Sequence, residues 1–253
     1  MKILNLISLA ALSCSLAFSH TLWVKGENKD TFEANIIYGH NFPNPEEIEE
    51  KEKEPLSGPI VLRGENLYKQ LTQSGNFYHY KLDEKLKEGT YILEVPYKPT
   101  IWSIHLDDTW QRDKTRKDIK KEIKSCGIYT YTARQILTIG KNDGNFAKTM
   151  TGKGLEIVPL VKFSEFKRDS VIKFRVVRDA KPVKRVQIFG TYSGYSKNDM
   201  SMAFYAKTDL NGEFEFRPLA SGLWYLKAHL DEKIDDKDCE KRFYGASLTF
   251  EVK

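Results

Sequence analysis

Thr208-Asp209-Leu210-Asn211-Gly212-Glu213-Phe214-Glu215-Phe216 is the stretch that decides the fold. Asn-Gly is the dipeptide best suited to the positive φ angles of a two-residue turn. Glu213 to Phe216 then alternates charged and aromatic residues, so Phe214 and Phe216 share one face of a strand. With Phe204 to Lys207 in front, the reading is a β-hairpin. Outward from it the pattern repeats. Val183 to Phe189 reads as a strand, and Ser193 to Met200 as a polar loop. In 171–177, Ile172, Phe174 and Val176 alternate with Val171, Lys173, Arg175 and Val177. Ser221-Gly222 turns into Leu223 to Leu230, where Trp224, Leu226 and Ala228 lie against Leu223, Tyr225, Lys227 and His229. The charged loop Asp231 to Arg242 leads to a last strand, Ala246 to Val252. Pro159 makes Leu155 to Val161 an edge or connecting strand. Short strands with turns every 8–12 residues are the pattern of a β-sandwich.

The stretch Lys141 to Gly154, rich in Gly and Asn at its start, reads as a boundary. Before it the pattern is similar but longer. Thr21 to Ile37 forms two strands around a turn, and Asn76 to Leu82, Thr90 to Tyr97, Ile101 to Leu106 and Ile128 to Ile139 follow as strands. Gln111 to Lys124 is the best helix candidate, with Ile119 and Ile123 as its thin apolar stripe, or else an excursion between strands. Glu46 to Glu54 reads as a solvated acidic loop or short helix. The expectation is an all-β chain of two β-sandwich domains, 20–150 and 154–253, with one helical insertion in the first.

Residues 1–19 carry the parts of a secretory signal: Lys2, the apolar run Ile3 to Leu12, and small Ala17 and Ser19 before the cut. That run is shorter than the roughly 20 residues a membrane span needs, and nothing later is apolar enough. The expected product is soluble and periplasmic. A rival cut before Cys14 would make a lipoprotein, but Leu12 is bulky where a small residue belongs. Loss of Lys2 leaves 39 basic residues against 35 acidic, where the full chain has 40 and 35. A balance this mild, without clusters, gives no footing for nucleic acid. Cys126 and Cys239 then remain as an even pair in an oxidising compartment, which favours a disulfide over a two-thiolate metal site.

A cut after Ser19 makes His20 the first residue, and its α-amine and imidazole can chelate one borderline ion. His40 follows Gly39 at the end of the second strand, before Phe42-Pro43-Asn44-Pro45. There it can face His20 across neighbouring strands. His229, or His105 beside Asp107 and Asp108, are the candidates for completing such a site; for His105 an ordinary turn is the competing reading. No Gly-x-Ser-x-Gly, His-Glu-x-x-His or phosphate-binding glycine loop occurs.

Several stretches together resemble one family, a periplasmic domain of unknown function associated with bacterial nickel and cobalt uptake. They are His20-x-Leu-Trp, Tyr38-Gly39-His40-x-Phe42-Pro43 with its acidic run, Gly154-Leu155-Glu156-Ile157-Val158-Pro159-Leu160, Thr208-Asp209-x-Asn211-Gly212 and Gly222-Leu223-Trp224-Tyr225-Leu226. The second half also looks like prealbumin-like modules. The resemblance implies a non-catalytic accessory protein that binds Ni(II), with Co(II), Cu(II) and Zn(II) as other candidates, and hands it to a membrane transporter. His20 and His40 fall on the family's histidines. Neutral imidazole is required, so affinity should fall below about pH 6. Two alternatives stand beside this: a structural or ligand-binding β-sandwich without metal, and a copper histidine-brace oxidative enzyme, a class that keeps a tyrosine near its metal.

Overall fold

The computed structural model describes residues 20–40, 42–196 and 201–253. The signal-peptide reading of 1–19, the alternative at Cys14, Asn41, and 197–200 of the predicted polar loop lie outside them. The chain is all-β. Its strands are β1 (Thr21–Asn28), β2 (Phe32–Gly39), β3 (Val61–Gly64), β4 (Leu67–Gln70), β5 (Thr72–Gln73), β6 (His79–Leu82), β7 (Gly89–His105), β8 (Trp110–Arg112) and β9 (Ile123–Ile139) in the first half. The second half has β10 (Leu155–Pro159), β11 (Ile172–Arg178), β12 (Lys181–Pro182), β13 (Gln187–Tyr192), β14 (Phe204–Lys207), β15 (Glu213–Phe216), β16 (Gly222–Lys233) and β17 (Lys241–Val252). One short helix, α1 (Glu50–Leu56), comes from the acidic run. Among the described residues no helix is long and apolar enough to cross a membrane.

A nine-stranded sheet runs through the molecule in the order β14-β13-β16-β17-β9-β7-β3-β4, with β8 on β7. Two four-stranded sheets pack on it. The first is β1-β2-β6-β5; the second is β10-β11-β12 with β15 beside β11. They use opposite faces of the large sheet, as the period-2 alternation of its side chains requires. From β9 and β7, Ala133, Leu93 and Val95 join Leu22, Val24, Phe32 and Ile36 in one core. From β16 and β17, Trp224, Leu226, Ala228, Leu248 and Phe250 join Ile157, Phe174, Val176, Phe214 and Phe216 in the other. The two cores are stitched by β9 and β17, which run parallel from Lys241↔Gly127 to Thr249↔Gln135. The Cys126–Cys239 disulfide locks the start of that pairing.

Three expectations are corrected. Thr208 to Phe216 is not a hairpin. The turn is present, closed by Asp209 N–H to Glu213 O at 2.9 Å and with Gly212 at φ 75°. Its flanking strands nevertheless pair elsewhere, β14 with β13 and β15 with β11. Among the turn's residues only Gly212 takes positive φ, whereas a hairpin turn of type I′ needs two in succession. The chain therefore crosses from one sheet to the other, and Phe214 and Phe216 still reach the core. The second correction is Gln111 to Lys124, which is not a helix. It is the end of β8, turns, and the start of β9. The Asp118 carboxylate accepts from the Thr115 N–H and hydroxyl in a local turn, Arg116 forks onto Glu240 at 2.8 and 3.0 Å, and Lys117 meets Asp238. Ile119 and Ile123 pack around the disulfide instead of forming a helical stripe. The excursion between strands is what forms. The strands predicted over Thr90–Tyr97 and Ile101–Leu106 are likewise one strand, β7, bulged between Tyr97 and Thr100.

Strand β1 is bonded to β2 on one side only, and side chains of the large sheet satisfy its open edge. Gln135 Oε1 accepts from Gly26 N–H at 2.5 Å, and Ser247 Oγ donates to Leu22 O at 2.6 Å. Trp23, on the opposite face of β1 from Leu22, packs with Ile37, Tyr225 and Phe42. The start of the strand is thereby fixed against the body of the protein.

Candidate metal centre

The β1/β2 ladder runs in register from Asn28↔Phe32 to Thr21↔Gly39. One step further, the same register sets His20 opposite His40. Their ring centroids are 4.6 Å apart with the planes inclined at 36°. Two imidazoles bound in adjacent positions to one ion, at about 2.0–2.1 Å per nitrogen, place their centroids roughly 4.5–5 Å apart. The pair meets that requirement. Tyr38, two residues before His40 on the same face of β2, stacks on His20 at 5.1 Å. Diagonal cross-strand neighbours reach each other when one is aromatic.

Behind the pair lies a polar chain. Tyr38 stacks on Tyr97 at 5.8 Å. The Tyr97 hydroxyl donates to Glu52 Oε2 at 3.0 Å. Glu52 is buried, 3.6 Å from the Arg112 guanidinium. Arg112 also donates to Lys51 O at 2.5 Å. Burial, with Tyr97 and Glu52 beside it, pushes the Tyr38 phenol far above its ordinary range. Burial and Glu52 push Tyr97 up to about 12. Both therefore stay neutral phenols at any working pH.

On the other side, Glu46 Oε1 accepts from the His40 backbone N–H at 3.2 Å. Its carboxylate presses against Gly39: a Cβ there would lie 2.3 Å from Glu46 Oε2. The glycine is what lets the acidic loop close over β2. Glu49 is drawn below the usual carboxylate range by Lys51 first, with a smaller contribution from His20.

The other predicted ligands are placed apart from this pair. His229 lies exposed on β16, opposite Gly245 of β17, which in turn pairs with Tyr131 of β9. Its ring meets Tyr131 at 6.2 Å, and Tyr97 is the next residue in that cross-strand row. It therefore shares a row with the tyrosines behind the pair. His105 ends β7, with Nε2 3.0 Å from Gln111 Oε1. The following Asp107 accepts from Thr109 N–H and Oγ1, and Asp108 meets Lys124 at 2.6 Å. That segment is the ordinary hydrogen-bonded turn. The fifth histidine, His79, bonds Asn35 Oδ1 at 2.9 Å.

Among the described residues no group of three or more His, Cys, Asp or Glu side chains is arranged to hold a metal ion. The donors brought together are two imidazoles; a cut after Ser19 would add the α-amine of His20. Three nitrogens of this kind suit Ni(II), Cu(II), Co(II) or Zn(II) and not Mg or Ca. Sequence reading missed Tyr38, Tyr97 and Glu52. Only the Tyr-Gly-His triplet hinted at Tyr38, and nothing in the acidic run marks Glu52 as its one buried acid.

The family described as Domain of unknown function (DUF4198) matches residues 17–232, and the chain belongs to it. No curated protein matches. Among solved structures, native alpha-2-macroglobulin from Escherichia coli, spanning domains MG0-NIE-MG1, is similar at 8% identity and a TM-score of 0.23, over 93% of this chain and 72% of that one. A likeness that low carries no argument.

Proposed function

We propose that this member of the family binds one divalent transition-metal ion, nickel first among the candidates, at the start of an exported mature chain. The observation that carries the reading is His20 opposite His40 at 4.6 Å. A cut after Ser19 would add an α-amine to the same residue. In this reading the protein is a periplasmic, non-catalytic accessory of a nickel or cobalt uptake system, passing its ion to a membrane transporter. The absence of a catalytic motif and the nitrogen-rich donor set both support it.

Nickel titration by calorimetry tests it on protein beginning at His20. His40→Ala is expected to weaken binding by at least about 10-fold, because one of the protein's nitrogen donors goes. His105→Ala is expected to leave it unchanged. Equal behaviour of the two variants would overturn the reading.

A further inference from the structure

We propose that Tyr38 is the positioning residue of this centre: stacked under His20, it holds the first imidazole of the mature chain at the distance from His40 that one ion can bridge. The inference rests on the metal-binding reading above. The first residue of a chain normally frays, and His20 precedes the first residue of β1. A chelating terminus that frays must be ordered by the metal itself, which subtracts from affinity. Here the ordering is built in beforehand. Tyr38 packs on His20 at 5.1 Å and, on its other side, on Tyr97 at 5.8 Å, with planes 22° and 19° from parallel. Tyr97 is tied by its hydroxyl to Glu52 of α1. Arg112 of β8 closes the chain by lying against Glu52 and binding the α1 backbone at Lys51. The first imidazole therefore leans on a stack anchored to three separate elements.

The geometry makes Tyr38 a support and not a ligand. Its ring is sandwiched between His20 on one side and Tyr97 on the other. Its face, not its hydroxyl, meets His20. Groups that orient a metal-binding histidine typically account for 10–100-fold in affinity when removed. Tyr38 does for His20 by stacking what a carboxylate does for other metal-binding histidines by hydrogen bonding.

The test uses protein beginning at His20 and carrying Tyr38→Ala, Tyr38→Phe or Tyr97→Phe. In metal-free protein, the His20 ring protons should be shifted upfield by the Tyr38 ring in the wild type and in Tyr38→Phe, and return toward free-histidine positions in Tyr38→Ala. With Ni(II), Tyr38→Ala should bind about 10-fold more weakly and Tyr38→Phe within about 2-fold of wild type. With Cu(II), Tyr38→Ala should give a broadened or second electron-paramagnetic-resonance signal. Tyr97→Phe keeps the ring and the core volume and removes only the hydroxyl, with its bond to Glu52 and its contacts to Tyr38 and Thr100, so it remains informative if Tyr38→Ala fails to fold. It should cost a few-fold, about 3-fold at the scale of one hydrogen bond. A folded Tyr38→Ala with wild-type affinity and an unchanged copper spectrum would overturn the proposal, as would wild-type affinity in Tyr97→Phe if Tyr38→Ala does not fold. A wild type that binds no metal while its His20 protons are shifted would sink the metal reading and leave the clamp. Unshifted protons with tight binding would do the reverse.

Discussion

Lys227 sits on the same face of β16 as His229 and Tyr225, buried, with its ammonium 6.0 Å from the Phe189 ring. Burial lowers its pKa to about 8 from 10.5. The folded state therefore holds its proton less firmly than the unfolded chain does. Between about pH 8 and 10.5 the unfolded chain binds more protons, so this residue's contribution to stability rises with pH through that window. Below pH 8 the charge is a standing cost. Lys227→Met is expected to stabilise the protein at pH 7 by on the order of 2 kcal/mol and to flatten the rise. Denaturant midpoints at pH 7 and pH 9.5 check both. The His20–His40 pair was legible from the sequence because an antiparallel ladder that starts after His20 and turns near Asp30 returns to Gly39-His40. What supports the pair was not legible. Tyr97 and Glu52 are far from it in the chain, and only the packing of α1 on β7 brings them near.

At the scale of elements, the cysteine pair was readable from parity and the expectation of an exported chain, but its place was not. Cys126 enters β9, and Cys239 precedes β17, so the bond holds the open end of the parallel pairing on which the large sheet depends. It closes a loop 113 residues apart in sequence, and in the chain-entropy account that contributes about 4–5 kcal/mol. Replacing both cysteines by serine should lower the unfolding free energy by about that amount, read as a shift in denaturant midpoint. No shift would mean that the β9/β17 ladder and the Arg116–Glu240 fork hold this end unaided. The turn at Asn211-Gly212 teaches the opposite lesson. Its local chemistry was read correctly, while its partner strands were not. Whether a turn joins neighbours in one sheet or crosses between two depends on one backbone angle and on long-range pairing, and neither is written in the dipeptide. The same limit applies to Gln111 to Lys124. There a thin apolar stripe was outcompeted by ion pairs to a segment more than a hundred residues away.

The whole molecule is two sandwiches that share one sheet. Besides β9 and β17, a buried charge network joins them. Arg134 of β9 donates to Glu156 of β10 at 2.9 Å and to Thr149 O at 3.0 Å. Glu156 also accepts from the backbone of Thr151 and Gly152. On its other side the Arg134 guanidinium lies 3.6 Å from Glu94 of β7. Both Arg134 and Glu156 are removed from solvent, and taking away one partner of such a pair strands the other. Glu156→Ala is expected to cost about 3–5 kcal/mol. Because the network spans both cores, near- and far-ultraviolet dichroism should still report one coincident transition in the wild type. Two separated transitions would show that the halves unfold independently.

The most direct test of the central claim compares two proteins in one calorimetric titration with nickel: one beginning at His20, and one carrying a single extra alanine before it. The account predicts tight one-to-one binding by the first and clearly weaker binding by the second, since the alanine takes the α-amine away from the imidazole it must act with. Equal binding by both, or none by either, would contradict a metal centre at the head of β1.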